Sequence, residues 1–156
     1  MKKVLLFFGL IGCLFAEQLV IDSSHFEADD KSGIAIFTGN VKMTKSQDII
    51  TTDKMTVYMI VDAKGKKVPK EYVAVGKTDF KIFTNNKIYS GKGDKVIYNP
   101  NTLKYTIIGN GFLYDETLDR KLFGNEIYIN EATGEAEVKG DTQKPVRFII
   151  KLEDKK

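Results

Sequence analysis

His25 is the only histidine in the chain and Cys13 the only cysteine. Base, ligand or thiol chemistry would have to start from these two or from paired carboxylates. A general base or a metal ligand needs partners within reach. His25 stands beside Phe26 with no second donor at ligand spacing, and it reads as a packing or surface residue. Asp29 and Asp30 adjoin, but neighbouring carboxylates on an extended or turning backbone point apart. Gly91-Lys92-Gly93-Asp94 has the glycines of a phosphate loop and lacks the helix such a loop requires. No catalytic residue, metal site or cofactor site follows from these residues. The chain reads as a protein that is not an enzyme.

The residues that do recur at a useful spacing are apolar. Val41 and Met43 alternate with polar neighbours, as do Val57 and Met59. The same period of two picks out Ile82, Val96, Tyr98, Tyr105, Ile107, Phe112, Tyr114, Ile127, Ile129 and Phe148. Alternation of this kind marks a strand with one wet face and one apolar face. These residues form the expected inward set. They either pack two sheets against each other or line a groove.

The elements that must carry them are short strands. No segment sustains a helical period. Closely spaced strands with regular turn signals indicate an all-β sandwich, roll or barrel. The expected strands are 19–22, 25–29, 33–38, 41–45, 48–52, 54–61, 71–75, 79–83, 87–91, 94–98, 103–108, 111–115, 120–124, 126–130, 135–139 and 145–151. Residues 62–70 read as the longest exposed loop. Gly39-Asn40, Gly76-Lys77, Gly109-Asn110 and Gly140-Asp141 read as turns, spaced 37, 33 and 31 residues apart. Repeats of this length indicate stacked units that cannot bury their apolar faces alone.

The first residues stand apart. A charged start, Met1-Lys2-Lys3, precedes 13 unbroken apolar residues, Val4 to Ala16. That run is short for a bilayer span and fits a secretory leader cleaved after Ala16. Leu10-Ile11-Gly12-Cys13 also resembles a lipobox, in which Cys13 would be acylated. The leader takes two lysines with it and leaves 22 basic and 21 acidic residues. That near-neutral balance gives no support to nucleic-acid binding through a basic surface. The expected organisation is a leader at 1–16, one β domain at 17–150 and a charged tail at 151–156.

Several pieces, in this order, resemble the LptA/OstA family. They are Phe26-Glu27-Ala28-Asp29, Phe37-Thr38-Gly39-Asn40-Val41, Ile50-Thr51-Thr52-Asp53-Lys54, Val75-Gly76-Lys77, Gly91 to Tyr98 and Ile108-Gly109-Asn110. The resemblance covers residues 19–150. Thr52 departs from it, standing where the family often has Ala, and the connection from Asp29 to Gly39 is short. The resemblance implies a folded-over antiparallel β-jellyroll, a V-shaped row of strands open at both ends. It implies a periplasmic carrier that shields lipopolysaccharide acyl chains between the inner and outer membranes. The partners implied are lipopolysaccharide, further copies of the chain stacked head to tail, and the OstA-like domains of inner-membrane LptC-type and outer-membrane LptD-type components.

The residues allow such a role. Burying an acyl methylene contributes about 0.8 kcal/mol, so a groove lined by the inward set would hold a chain without specific hydrogen bonds. Lys92, Lys95 and Lys104 are the lysines that would meet lipid phosphates at a groove mouth, unless they are ordinary solvated side chains. An unclosed row of strands leaves bare edges. Phe26, Glu27 and Ala28 offer one; Val146, Arg147, Phe148, Ile149 and Ile150 offer the other, with Pro145 marking its start. The alternatives from other classes are an exported structural protein with a closed core and no lipid, and a membrane-tethered LptC-like relative.

Overall fold

The computed structural model describes residues 17–153. The expected leader, with Cys13 and the expected cleavage point after Ala16, lies outside the described residues, as do the last three residues of the expected tail. All ten elements are strands: β1 (Leu19–Asp22), β2 (His25–Asp29), β3 (Ile34–Lys45), β4 (Asp48–Val61), β5 (Lys67–Phe83), β6 (Ile88–Asn99), β7 (Lys104–Asp115), β8 (Arg120–Asn130), β9 (Ala136–Lys139) and β10 (Arg147–Ile150). They form one antiparallel sheet in which β3 to β8 pair in chain order. β1 and β2 share the outer edge of β3, and β9 and β10 share that of β8. This is the all-β, open-ended, folded-over arrangement expected from the sequence.

Six long strands replace twelve expected short ones. Gly39-Asn40, Gly76-Lys77 and Gly109-Asn110 are not reversals. Each lies inside a continuous strand, where the pairing register shifts by one residue. Gly39 and Asn40 take φ of 82° and 45°, and Gly109 and Asn110 take 81° and 47°. Left-handed residues at one level insert an extra residue and bend the strand without turning the chain back. β4, β6 and β8 shift register against the bulged strands at the same level. Every long strand is therefore bent there, and the sheet divides into two halves. One contains β1 and β10, the other β2 and β9.

Side chains bridge the bend at the β4–β5 and β6–β7 register shifts. Asp53 accepts from the Lys77 amide at 3.1 Å, and Asp94 accepts from the Asn110 side chain at 2.9 Å. At the edge the Asn125 side chain donates to Asp141 at 2.8 Å. These are the repeat markers seen in the sequence, now paired across neighbouring strands. The polar loop expected at 62–70 shrinks to a hairpin, because Lys67 to Pro69 pair with Met59 to Val61.

The inner faces of the two halves pack together. The buried core holds Val41, Met43, Ile50 and Phe80 from one half, and Met55, Val57, Tyr98, Tyr105, Ile107, Ile127 and Ile129 from the other. Leu19, Ile21, Ala35, Phe37, Met59, Leu122 and Val138 pack around them with part of their surface open.

Candidate functional site

Ten of the fourteen expected inward residues are buried in this core: Val41, Met43, Val57, Ile82, Val96, Tyr98, Tyr105, Ile107, Ile127 and Ile129. Met59 packs at its margin. Phe112 and Tyr114 do not face inward. The inner positions of β7 run Tyr105, Ile107, Leu113 and Asp115, all buried, and Phe112 and Tyr114 fall between them. The sequence reading let the side-chain alternation flip at Gly109-Asn110. The structure puts the flips on β4, β6 and β8 instead: β6 buries Tyr89 before the bend and Val96 and Tyr98 after it. On β7 the extra bulge residue restores the original parity. Leu113 is the core residue missed on β7, and Ile50, Met55, Tyr72, Ala74, Phe80 and Tyr89 are core residues of other strands that the expected set also left out.

Phe148 lies on the inner side, since it pairs with Leu122, but it stays 50% exposed. Phe26 is its counterpart at the other edge. It pairs with Phe37, their ring centroids lie 4.9 Å apart, and it is 55% exposed. So the apolar inner face ends at each sheet edge in an exposed phenylalanine. The expected edge strands are β2 and β10, and every residue in both is exposed. Val146 is exposed just ahead of β10, which starts at Arg147.

A row of tyrosines crosses the inner face of the β2–β9 half. Tyr72, Tyr98 and Tyr105 occupy paired positions on β5, β6 and β7. Tyr98 and Tyr105 stack at 4.5 Å. Their hydroxyls reach polar groups that close the two halves on each other. Tyr105 donates to Asp48 Oδ2 at 2.7 Å, and Tyr98 donates to Glu131 at 3.3 Å. Lys45 Nζ donates to Glu131 at 2.7 Å and stands 3.9 Å from Asp48. The turn after β8 is fastened twice more: Asn85 donates to the Ala132 carbonyl at 3.1 Å, and Tyr89 donates to the Gly134 carbonyl at 2.7 Å.

This polar seam has shifted titrations. Burial pushes the Asp48 carboxyl up to about 6, against the bonds from the Phe83 amide and Tyr105 that favour its charged form. Burial also pulls on the Lys45 ammonium, but the bonds to Glu131 and Tyr98 outweigh it and hold its pKa above the ordinary lysine value. Burial pushes the Tyr98 hydroxyl up to about 12. A second buried carboxylate, Asp115, sits near the β10 edge. Arg120 bonds it at 2.6 Å and Lys87 stands at 3.5 Å. Burial works against its charge, yet the Arg120 bond and the Leu118 amide keep it below the usual carboxylate range.

Each carboxylate is engaged: Asp48 accepts from the Phe83 amide and Tyr105, and Asp115 from Arg120 and the Thr117 and Leu118 amides. His25 Nε2 donates to the Glu27 carboxylate at 3.0 Å on exposed β2. Among the described residues no three His, Cys, Asp or Glu side chains come together to hold a metal. Lys92, Lys95 and Lys104 all sit on outer strand positions, opposite Phe112, Ile108 and Asn130. None lies at a mouth of the inner face. The seam residues Lys45, Asp48 and Glu131 were missed in the sequence. Their only signal was polarity at the ends of alternating runs, which any solvated hairpin shares.

The family model that matches residues 20–135 is described as LptA/(LptD N-terminal domain) LPS transport protein. The chain is 25% identical over 134 residues to the lipopolysaccharide export system protein LptA of Haemophilus influenzae, covering 86% of this chain and 77% of that one. Its fold is similar to the crystal structure of LptH from Pseudomonas aeruginosa, titled the LptA-homologous periplasmic component of a lipopolysaccharide transport device. The TM-score is 0.73 at 16% identity, over 87% of this chain and 96% of that one.

Proposed function

Because the chain belongs to the LptA/LptD N-terminal-domain family of LPS transport proteins, we propose that it is a periplasmic carrier that shields lipopolysaccharide acyl chains between its two half-sheets. One observation carries the reading. An apolar band on the inner face reaches both edges beside the polar seam, and it ends at exposed phenylalanines, Phe26 on β2 and Phe148 on β10. Acyl chains need only an apolar surface and room to enter. The edges supply the entry, and the polar seam is the part of the closure that parts at least cost. Its hydrogen bonds exchange for bonds to water, and the net loss per bond is about 1 kcal/mol. The apolar faces that separate would be re-covered by lipid, at about 0.8 kcal/mol per methylene.

The same edges support assembly. β2 and β10 are bare, and β10 is apolar at Phe148, Ile149 and Ile150. A second copy adding a strand to β10 would extend both the sheet and the inner face. The contact is between unlike edges and need not close. OstA-like domains of LptC and LptD type are the other partners we propose.

Photo-crosslinking residues at Phe37, Leu122 and Phe148 test the carrier reading. Each is partly open and faces inward, so each tolerates a bulky probe. Adducts with lipopolysaccharide are expected at these positions and not at Thr106, on the outer side of β7. Equal labelling at Thr106, or none anywhere, overturns the proposal. The second reading is a structural protein with a permanently dry core. It is favoured by the complete burial of Ile82, Tyr105, Ile107, Ile127 and Ile129, each 0% exposed. The absence of inner adducts would select it.

A further inference from the structure

The outer face of the β1–β10 half carries a row that the carrier reading does not use. Lys92, Phe112, Phe123 and Arg147 lie directly opposite one another on β6, β7, β8 and β10. The two rings pack at 4.9 Å, and Phe123 is 39% exposed. A cation stands at each end of the row. Lys121 lies two residues from Phe123 on the same face, and Lys92, Lys121, Phe112, Phe123 and Asn110 line a shallow cavity there. No ion pair engages Lys92, Lys121 or Arg147 among the described residues, although Lys81 nearby pairs with Glu116 and Tyr114 holds Asp119 at the rim.

The matching corner of the other half is built differently. Its outer positions on β8 and β9 are Glu126, Tyr128, Glu137 and Lys139. Tyr128 donates to Glu126, and Lys139 stands 3.7 Å from Glu137, so one cation there meets two carboxylates. Cations without an ion pair therefore surround two rings on this face, Phe123 exposed and Phe112 half-buried, with Asp79 directly opposite Lys92 on β5.

We propose that this face docks on the surface of an anionic lipid bilayer. The charges complement anionic headgroups, and the rings between them fit the apolar boundary just beneath. Lysine and arginine stems can lie along the rings while their heads reach phosphate. Juxtaposed cations are attracted to an anionic leaflet within a Debye length of it. The face points away from the core, so docking leaves the inner slot unchanged. Strand addition at β10 runs along the edge and does not cover it. The inference goes beyond the carrier reading and does not depend on it.

The test is co-sedimentation of the chain from Glu17 onward, which holds all ten strands, with phosphatidylcholine vesicles made with and without phosphatidylglycerol. Neither vesicle contains lipopolysaccharide, so the result stands or falls apart from the carrier reading. Binding is expected with phosphatidylglycerol, weaker in high salt, and slight without it. The Lys92→Glu/Lys121→Glu variant should bind about tenfold or more weakly, and Phe123→Ser should also weaken it. Lys54→Glu, on the outer face of the other half, should bind as the parent does. Each variant's thermal melt is compared with the parent's. All three substituted lysines are exposed or solvated, so the lysine variants decide the matter if Phe123→Ser melts early. No binding to phosphatidylglycerol vesicles, equal binding by Lys92→Glu/Lys121→Glu, or an equal loss in Lys54→Glu overturns the proposal.

Discussion

Asp48 is 2% exposed, and burial raises its pKa to about 6. The consequence for stability has a definite sign. A carboxyl whose pKa is higher in the folded state than the unfolded one binds more protons when folded, so stability falls as pH rises through the interval between them. That interval runs from about pH 4, the unfolded value, to about pH 6. Asn cannot ionise, so the stability of Asp48→Asn relative to the parent should rise by on the order of 1–3 kcal/mol between pH 4 and pH 7. Urea unfolding across that range measures it; a gap that does not change with pH would show that the carboxyl is not raised. Tyr105→Phe acts on the same contact from the other side. The hydroxyl donates to Asp48 from a residue with no exposure. Its removal leaves a buried carboxylate oxygen short of a donor, at a cost of about 1–3 kcal/mol. The sequence offered Tyr105 as one more inward apolar residue. Its polar role depends on Asp48, 57 positions away in the chain, and no local pattern encodes that pairing.

The bent strand is the element that distinguishes this sheet from a stack of hairpins. Gly76 has φ +112°, and a Cβ built there would lie 2.4 Å from Asp53 Oδ2 and 2.7 Å from its Cβ. Gly76→Ala therefore meets both backbone strain and a clash with the side chain that holds the Lys77 amide. Gly65 has φ +78° with nothing within 4 Å, so Gly65→Ala meets strain alone. Gly65→Ala should cost about 1 kcal/mol, and Gly76→Ala more, on the order of 2–4 kcal/mol. Chemical denaturation of the two variants side by side checks the ordering, and equal losses would contradict the role given to the bulge. The position of the bends was legible in the sequence, because Gly39-Asn40, Gly76-Lys77 and Gly109-Asn110 were singled out. Their nature was not. Left-handed residues serve a tight reversal and a bulge alike, and only the neighbouring strands, shifted at the same level, decide that the chain runs straight on. The misplacement of Phe112 and Tyr114 follows from the same ambiguity.

At the scale of the molecule, one face and two edges remain unsatisfied. The exposed apolar residues of β10, together with the bare β2, predict growth by strand addition. Light scattering should show mass rising with concentration, and Ile149→Pro, which removes a strand donor from β10, should hold the chain as a monomer. A strict monomer for the parent, in the absence and presence of partner domains, would end the assembly reading. The sequence by itself determined the all-β class, the order of the strands and most of the inner face. Those depend on period-two alternation and on turn residues, which act within a few positions of each other. Tertiary structure alone decided that twelve short runs are six bent strands, that Lys45, Asp48 and Glu131 close the seam, and that Lys92, Phe112, Phe123 and Arg147 form one row. Each of those is a relation between residues on different strands. Register fixes it, and register is a property of the assembled sheet.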